Sequence, residues 1–451
     1  MSTPTAAAPA RSSYQGLFVD GGWRATEKGA PVLNPATEEV FATAPWGAGA
    51  DADAAVSAAR RAFDEGPWPA MTPAQRSTAL ARLRDVLADW ADDIVALVVA
   101  EAGIPVSVAR PSQFDAPMRL FDFFIDRCAT FEALRPLPVT TFRNRHGANV
   151  LGAGVVQRSP CGVVTAITPF NAPFFVNLLK VGPALAAGCT VVLKPSDFTP
   201  LEALLLGAAA QEAELPPGVL NVVTGGVEVG EYLTTDPRVD MVTFTGSDAV
   251  GAKVMAQASA TLKHVTLELG GKSAMIVRAD ADLDVAAARG AQELTLFSGQ
   301  GCALWTRHLV HHALYDHYLE RVSGMLQRLP VGDPTDVHTV VGPLIRDSAC
   351  VRAEKYVAGA LEQGARVVTG GRRPPHLSRG YYYEPTLLAD VRSDMTVAQE
   401  EVFGPVGVAI PFDDDDDAVR IANDSVYGLS GSIWTADPAA AFGMAQKIHT
   451  G

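Results

Sequence analysis

Cys302 is the residue whose neighbours most favour chemistry. It ends the segment FSGQGC, residues 297–302, in which Gly299 and Gly301 precede it closely. A single cysteine in a globular protein is most often a small buried hydrophobic residue. The glycines weaken that interpretation, because they remove bulk and leave main-chain N–H groups free to bind an oxyanion. Both interpretations stay open on these residues alone: a buried thiol, or a thiolate that attacks a carbonyl carbon.

Glu268 is the candidate carboxylate. It ends the apolar run VTLE and is followed by Leu269 and two glycines, 34 residues before Cys302 (302 − 268). A carboxylate in this place is either desolvated and able to act as a general base, or exposed at a strand end. Spacing alone favours the exposed carboxylate.

Two further segments have the residue types of a nucleotide site. Lys194 and Asp197 follow one apolar run, and a turn with glycines at 246 and 251 opens a helix. Lysine and carboxylate suit ribose hydroxyls, and a helix N-terminus suits a phosphate. No G-x-G-x-x-G motif follows the first strand, and glycines in ordinary α/β turns explain the same residues equally well.

No metal site is predicted. His308, His311, His312 and His317 include a strand-like run in which alternation separates neighbouring imidazoles, so we expect them at the surface. The acidic run 413–417 lacks the alternating spacing of calcium ligands and is predicted to be a solvated turn or a helix start.

The elements that must position these residues form an α/β pattern. Helical spacing marks residues 51–100, and from about residue 155 short β-branched runs alternate with helical segments. The runs are too apolar to have a wet face, which predicts a parallel sheet covered by helices on both sides. Ligands of such sheets bind beyond the carboxyl ends of the strands. Those ends hold the segments TPFN, KPSD, GG and TGS, and a second α/β pattern follows Leu267.

Composition limits the classes of partner. The chain has 451 residues, 48% hydrophobic and 19% charged, with a net charge of −14, which predicts two or three globular domains. An acidic chain with no basic patch is not expected to bind nucleic acid, and no apolar run is long enough to span a membrane. The five cysteines are widely spaced and fit reduced thiols, so a cytoplasmic location is predicted.

Taken together, the motifs resemble the aldehyde dehydrogenase superfamily from about Leu17 to Gly451. Six segments occur in that family's order: TPFN, KPSDFTP, FTGSDAVG, LELGGKSAMIV, GQGC and EEVFGPV. The resemblance implies an α/β fold with a Rossmann-type cofactor domain, an α/β catalytic domain and a small β oligomerisation element. The implied boundaries are 1–138 with 159–267 for the cofactor domain, 139–158 for the oligomerisation hairpin, and 268–451 for the catalytic domain.

The resemblance also implies residue roles for a hydrolytic, NAD(P)-dependent enzyme that oxidises an aldehyde to the acid. Cys302 matches the nucleophile, Asn171 the side-chain donor of the oxyanion hole, and Glu268 the base that activates water. The implied cofactor residues are Ile167, Thr168, Pro169, Phe170, Lys194, Ser196, Asp197, Gly226, Gly230, Phe244, Thr245, Gly246, Ser247, Val250, Leu269, Gly270, Glu401 and Phe403.

The sequence departs from the family pattern in places. Phe170 stands where Trp is usual, Phe297 and Ser298 replace a polar pair, and Asp197 replaces Glu. A carboxylate at position 197 repels a 2′-phosphate, so NAD is favoured over NADP. Family members usually continue beyond the position of Gly451. We therefore expect this chain to lack their usual C-terminal tail, and we expect a homo-oligomer (dimer or tetramer) if the native chain has it.

Substrate and alternatives follow from fewer residues. If the segment after Asn171 is helical, Ala172, Val176 and Leu179 share an apolar face with Phe175 beside it, which predicts a hydrophobic aliphatic or aromatic aldehyde. Three alternatives remain: a CoA-acylating enzyme, against which Glu268 argues, a catalytically silent scaffold, and a cysteine hydrolase, which would need a histidine near the thiol.

Overall fold

The computed structural model describes residues 10–451. Residues 1–9, which belong to the predicted cofactor-domain segment 1–138, lie outside the described residues. The helices are α1 Gly49–Asp64, α2 Pro73–Asp89, α3 Ala91–Ala102, α4 Val106–Ala109, α5 Ala116–Ala129, α6 Pro173–Ala187, α7 Leu201–Glu212, α8 Val227–Thr235, α9 Asp248–Ser259, α10 Leu283–Thr295, α11 Tyr315–Leu326, α12 Asp347–Glu362, α13 Thr396–Gln399, α14 Asp415–Asn423 and α15 Pro438–Ala445. A π-helical turn, Arg110–Asp115, joins α4 to α5.

The strands are β1 Leu17–Val19, β2 Gly22–Arg24, β3 Lys28–Asn34, β4 Glu39–Trp46, β5 Leu134–Pro136, β6 Thr140–Arg143, β7 Asn149–Gly152, β8 Val155–Gln157, β9 Val163–Ile167, β10 Thr190–Lys194, β11 Leu220–Val222, β12 Met241–Thr245, β13 His264–Glu268, β14 Ala274–Val277, β15 Arg307–His311, β16 Arg366–Thr369, β17 Thr386–Ala389, β18 Val406–Phe412 and β19 Gly431–Trp434. The predicted α/β alternation is confirmed.

The first large sheet has the order β13-β12-β9-β10-β11-β1-β2. The five strands from β13 to β11 are parallel, and β1 joins β11 in the antiparallel direction. Alternate residues face opposite cores: Val164 and Leu193 pack under the α2, α3 and α5–α7 layer, whereas Val163 and Val192 pack against α1, α8 and α9. Burial on both faces explains why these strands read as continuous apolar runs.

The second large sheet has the order β16-β17-β18-β15-β14-β19, and its strands from β17 to β19 are parallel. Its neighbours β14, β15 and β18 are each entered from a loop that contains a candidate residue: Gly270, Cys302 or Glu401. Because these strands are parallel neighbours, the three loops meet at one edge of the sheet. That edge faces the carboxyl ends of β9, β10 and β12, so the two sheets together position the site.

Residues 134–157 form a nested pair of ribbons, in which β5 pairs with β8 and β6 with β7. The pairing begins at Leu134, before the start of the hairpin expected from the sequence. The domain boundaries themselves stay a prediction.

Two smaller expectations have different outcomes. The acidic run 413–417 does start a helix, since Asp414 caps α14 by accepting from the Asp417 N–H at 2.9 Å. The expectation of surface histidines is wrong for His308, which is fully buried in β15 with Nδ1 2.9 Å from the Tyr318 hydroxyl. Both faces of β15 are covered, since Leu309 and Val310 lie in different hydrophobic cores, so alternation leaves no exposed face for this imidazole. Among residues 10–451, no helix has the length and apolar character needed to cross a membrane.

Candidate active site

A cleft of about 390 Å³ lies between the two large sheets. Most of the predicted residues line it: Ile167, Thr168, Pro169, Phe170, Asn171, Lys194, Ser196, Phe244, Thr245, Gly246, Ser247, Leu269, Gly270, Cys302, Glu401 and Phe403. The nucleophile candidate and the nucleotide candidates therefore share one space. This arrangement permits a reaction between a thiol and a group bound beside a nucleotide.

Five predicted residues do not line the cleft. Asp197 is exposed, Val250 is exposed on α9, and Gly226 precedes the first turn of α8. Gly230 lies close to the cleft, because a Cβ added to it would stand 3.8 Å from the Lys194 side chain. Glu268 is exposed at the end of β13.

The loop before Cys302 has an unusual backbone. Phe297, Ser298 and Gly299 have φ values of 51°, 56° and 75°, all in the left-handed region that side chains disfavour. Two contacts hold this turn: the Ser298 hydroxyl donates to the Gly342 carbonyl at 2.9 Å, and Gly299 packs on the main chain of Gly404. The pair Phe297-Ser298 thus fixes the cysteine loop through its backbone conformation and the buried serine hydroxyl.

Gln300 connects the loop to its surroundings. Its side-chain Oε1 accepts the Ile345 N–H at 3.0 Å, and its main-chain carbonyl accepts Nδ2 of Asn171 at 2.7 Å. An amide nitrogen has two hydrogens, so this bond uses one donor of Asn171 and orients the other. Asn171 is held beside the cysteine loop by a bond that crosses from the first sheet to the second.

Cys302 is partly buried, and the pKa of its thiol is raised. Burial is the main cause, and the nearby negative charges of Glu401 and, less strongly, Glu268 add to it. The main-chain N–H groups of Cys302 and Ala303 act in the opposite direction. Main-chain N–H groups are donors of the kind that stabilise an anion.

Glycines allow the loops that lead into the second large sheet to pack closely against one another. The Gly271 N–H donates to Oε1 of Glu401 at 3.1 Å, and a Cβ on Gly270 would stand 2.8 Å from Oε2. A Cβ on Gly271 would collide with the carbonyl oxygen of Cys302. Burial raises the pKa of Glu401, and the Gly271 N–H opposes the shift. Only glycines allow this carboxylate and the cysteine loop to pack on the same turn.

Lys180 was not singled out from the sequence. It is buried on α6, its Nζ donates to the Thr243 hydroxyl at 2.7 Å, and burial lowers its pKa to about 8 while Glu268 opposes the shift. Its position in an apolar helical segment gave no signal of a role. The structure places this cation close to the candidate base.

The nucleotide side of the cleft has a buried cation and an open helix end. Burial lowers the pKa of Lys194, which the charges of Asp197 and Glu228 oppose, and its Nζ donates to the Pro195 carbonyl at 3.1 Å. Ser247 precedes α9 without a side-chain cap. An ammonium group with further donors beside a free helix N-terminus fits a ribose and a pyrophosphate.

Aromatic rings close the cleft. Phe170 packs edge-on against both Phe403 and Phe198, with 5.8 Å between ring centroids in each pair. Phe170 thus lies at the centre of this aromatic cluster. Arg346 lies over Phe198 at 4.8 Å, and Arg352 donates to the carbonyls of Glu401 and Val402. Other residues that line the cleft and were missed are Pro195, Gln300, Ile345, Ser348 and Ala349.

Comparison with known proteins matches this arrangement. The model of the aldehyde dehydrogenase family matches residues 23–451. The chain is 38% identical to the chloroplastic betaine aldehyde dehydrogenase of Beta vulgaris, over 93% of this chain and 84% of that protein.

Two solved structures are similar over nearly the whole chain. The aldehyde dehydrogenase of Mycobacterium tuberculosis, complexed with NAD⁺, is 42% identical with a TM-score of 0.91, covering 97% of this chain and 89% of that one. Aldehyde dehydrogenase C of Pseudomonas syringae, a C291A mutant complexed with NAD⁺ and octanal, is 36% identical with a TM-score of 0.91, covering 97% and 88%.

Proposed function

Since this chain belongs to the aldehyde dehydrogenase family, we propose that it oxidises a hydrophobic aldehyde to the carboxylic acid, with NAD as the hydride acceptor and Cys302 as the nucleophile. The observation that carries the proposal is the single cleft that holds Cys302, Asn171 and Lys194 together. The two similar solved structures named above contain NAD⁺, and the residues of this cleft fit a ribose and a pyrophosphate.

Lys194 and the N-terminus of α9 are the groups proposed to hold the dinucleotide, with Glu401 and Phe403 toward its nicotinamide end. When bound, NAD⁺ supplies the acceptor for the hydride. The cluster of Phe170, Phe198 and Phe403 excludes water from that end of the cleft.

The first step of the proposed reaction joins Cys302 to the aldehyde carbon. The Cys302 thiolate attacks, and the oxygen becomes an alkoxide that needs donors. Two donors are available in this chain: the free hydrogen of the Asn171 amide and the main-chain N–H of Cys302. The bond from Asn171 to Gln300 fixes the amide before the substrate arrives, so little reorganisation is needed.

Loss of hydride leaves a thioester on Cys302, which water must hydrolyse. Glu268 is the proposed base, since it is exposed to water and near enough for its charge to raise the pKa of Cys302. A proton accepted by Glu268 can pass to bulk water. Lys180 lies close enough to this carboxylate for the negative charge of Glu268 to oppose the fall in the pKa of Lys180.

The substrate class is proposed from α6, which begins two residues after Asn171. Ala172, Phe175 and Val176 are half-buried and Leu179 is exposed, whereas Phe174 and Leu178 on the opposite side are buried in the core. The exposed face is apolar and has no cation for a carboxylate. The octanal bound to the Pseudomonas syringae enzyme is an aldehyde of this kind.

The experiment follows NAD⁺ reduction with hexanal, benzaldehyde, betaine aldehyde, an ω-aminoaldehyde and a carboxylate semialdehyde. We expect the highest kcat/KM for hexanal or benzaldehyde, and the free acid as product even when CoA is added. Val176→Asp should lower kcat/KM for hexanal about tenfold or more, whereas Val337→Asp, at an exposed loop position, should not. Turnover of only the charged aldehydes would overturn the substrate assignment.

We also infer self-association through the ribbons of residues 134–157. They expose an apolar set: Leu134 at 59%, Val139 at 63%, Phe142 at 55%, Leu151 at 69% and Val155 at 62%. Contiguous apolar surface of this kind is typical of an interface. Light scattering should report a dimer or tetramer, and Leu151→Glu should dissociate it.

The free state of all five cysteines supports a reducing location, the cytoplasm.

A further inference from the structure

Cys161 and Cys189 are 28 residues apart in the sequence, yet their sulfur atoms lie 3.5 Å from each other. Cys161 precedes β9 and Cys189 precedes β10, and these strands are parallel neighbours with Val163 opposite Thr190. The two thiols therefore sit at the entry ends of adjacent strands. Strands are spaced about 4.8 Å apart, which is within the Cα separation that a disulfide spans.

The pair differs in access to solvent. Cys161 is exposed, whereas Cys189 is 3% exposed. The Cys161 sulfur also has the Met241 sulfur 3.9 Å away. Among residues 10–451 no three His, Cys, Asp or Glu side chains come together in a group that could hold a metal ion. An exposed thiol beside a buried one is the arrangement of an attacking and a resolving cysteine.

Local packing keeps both cysteines in place. Gly162 between Cys161 and β9 has a φ of 127° and lies against Asp240, whose Oδ2 accepts the Val163 N–H at 2.7 Å and Arg60 at 2.8 Å. The Cys189 N–H is bonded to the Ala184 carbonyl at 3.0 Å. Because both backbones are bonded, the sulfurs can close the remaining gap, of about 1.5 Å to disulfide length, chiefly by side-chain rotation.

We propose that Cys161 and Cys189 form a redox modification site, at which a low-molecular-weight disulfide converts the two thiols to an intramolecular disulfide. The Cys161 thiolate attacks one sulfur of the small disulfide, whose S–S bond breaks and releases one small thiolate. The Cys189 thiolate then attacks the Cys161 sulfur and releases the second. The cysteines lose two electrons and two protons, and the small disulfide becomes two thiols.

The electrostatics of the pair decide which sulfur carries the negative charge before the reaction. The contact with Cys161 lowers the pKa of Cys189 to about 7, aided by the main-chain N–H groups of Gly162 and Cys161. The same contact raises the pKa of Cys161. Before the reaction the negative charge of the pair therefore lies on the buried Cys189 sulfur, and Cys161 keeps its proton. Cys161 becomes the attacking thiolate when that proton moves across the 3.5 Å contact to Cys189. The proton leaves to solvent before Cys189 attacks in the second step.

The disulfide would act on the chain segment between the two cysteines. It would close the segment 161–189, which contains Asn171 and the whole of α6, at the end of the strands away from the cleft. The strands are five residues long, so the bond lies about 16 Å from the cleft edge of the sheet. We expect it to stabilise the segment that carries Asn171 without contact with the reacting groups.

The test treats the full chain in a Cys302→Ser background with glutathione disulfide at neutral pH, followed by peptide mass spectrometry without reduction. We expect a peptide pair linked through Cys161 and Cys189, a loss of two free thiols that dithiothreitol reverses, and a rise in Tm of about 2–4 °C. Cys189→Ser should instead accumulate glutathione on Cys161, and Cys161→Ser should form neither product. Two results in the chain that keeps both cysteines would overturn the proposal. One is glutathione on Cys161 without the linked peptide pair, and the other is no reaction at Cys161. Neither result depends on the folding of the Cys161 or Cys189 variants.

Discussion

The side-chain amide of Asn171 donates to the main-chain carbonyl of Gln300 at 2.7 Å, across the boundary between the two large sheets. One residue follows β9 and the other precedes Cys302 by two positions. The bond therefore sets the position of a candidate oxyanion donor relative to the nucleophile before any substrate binds. Its energetic value for catalysis lies in that fixed geometry.

Asn171→Ala is expected to lower kcat about 10²–10³-fold, the usual cost of removing one oxyanion donor. The rate at which iodoacetamide alkylates Cys302 should change little, because alkylation forms no oxyanion. Steady-state kinetics and peptide-resolved alkylation measure the two quantities. An equal loss in both would mean that Asn171 serves only to hold the loop.

Glu401→Gln tests the electrostatics of the thiol. The negative charge of Glu401 is the largest charge effect that raises the pKa of Cys302, while the amide can still accept from the Gly271 N–H. We expect alkylation of Cys302 at pH 7 to become roughly two- to tenfold faster, with its pH profile shifted to lower pH. Glu268→Gln should shift it less. Slower alkylation of Cys302 in Glu401→Gln would contradict the conclusion that the negative charge of Glu401 raises the pKa of the thiol.

Gly299→Ala tests the backbone of the cysteine loop. The alanine would have to adopt a left-handed φ and its Cβ would collide with the main chain of Gly404, so we expect a loss of about 2 kcal/mol or more in the free energy of unfolding. Gly359→Ala is the matched control in α12, where a Cβ meets no atom within 4 Å. That change should stabilise the chain by about 0.5–1 kcal/mol. Thermal unfolding of both variants decides whether the loop conformation is required.

His308 predicts a pH dependence of stability. Burial lowers its pKa from 6.5 to about 4 in the folded chain. Between these values the unfolded chain binds more protons than the folded one, so stability falls as pH drops from 6.5 toward 4, by about 3 kcal/mol in total for this group. Above pH 6.5 the group contributes no pH dependence.

His308→Gln is expected to reduce the fall in Tm between pH 6.5 and 4.5. His317→Gln, at an exposed position, should leave the wild-type slope unchanged. Equal slopes in all three proteins would contradict a buried neutral imidazole.

The sequence predicts those parts of the site that depend on local residue patterns. Short apolar strands followed by polar turns indicate where Asn171 and Lys194 lie, because parallel strands place their carboxyl ends on one edge. The roles of Gln300 and Lys180 have no local signal. Gln300 acts through bonds to residues 45 and 129 positions away, and Lys180 is a cation within an apolar helix. The left-handed turn at Phe297 and Ser298 likewise has no signal in the sequence, since neither residue type favours a positive φ.

The most direct test of the account is the rate of NAD⁺ reduction with the fastest aldehyde of the panel, measured for the wild-type chain and for Cys302→Ala. Cys161→Ser is the control, because its thiol lies at the far end of the strands from the cleft. The account predicts steady turnover by the wild-type chain and by Cys161→Ser, and a rate lower by about 10⁴-fold or more in Cys302→Ala. A Cys302→Ala protein that keeps a tenth of the wild-type rate, or a folded wild-type chain that reduces no NAD⁺ with any aldehyde, would contradict it.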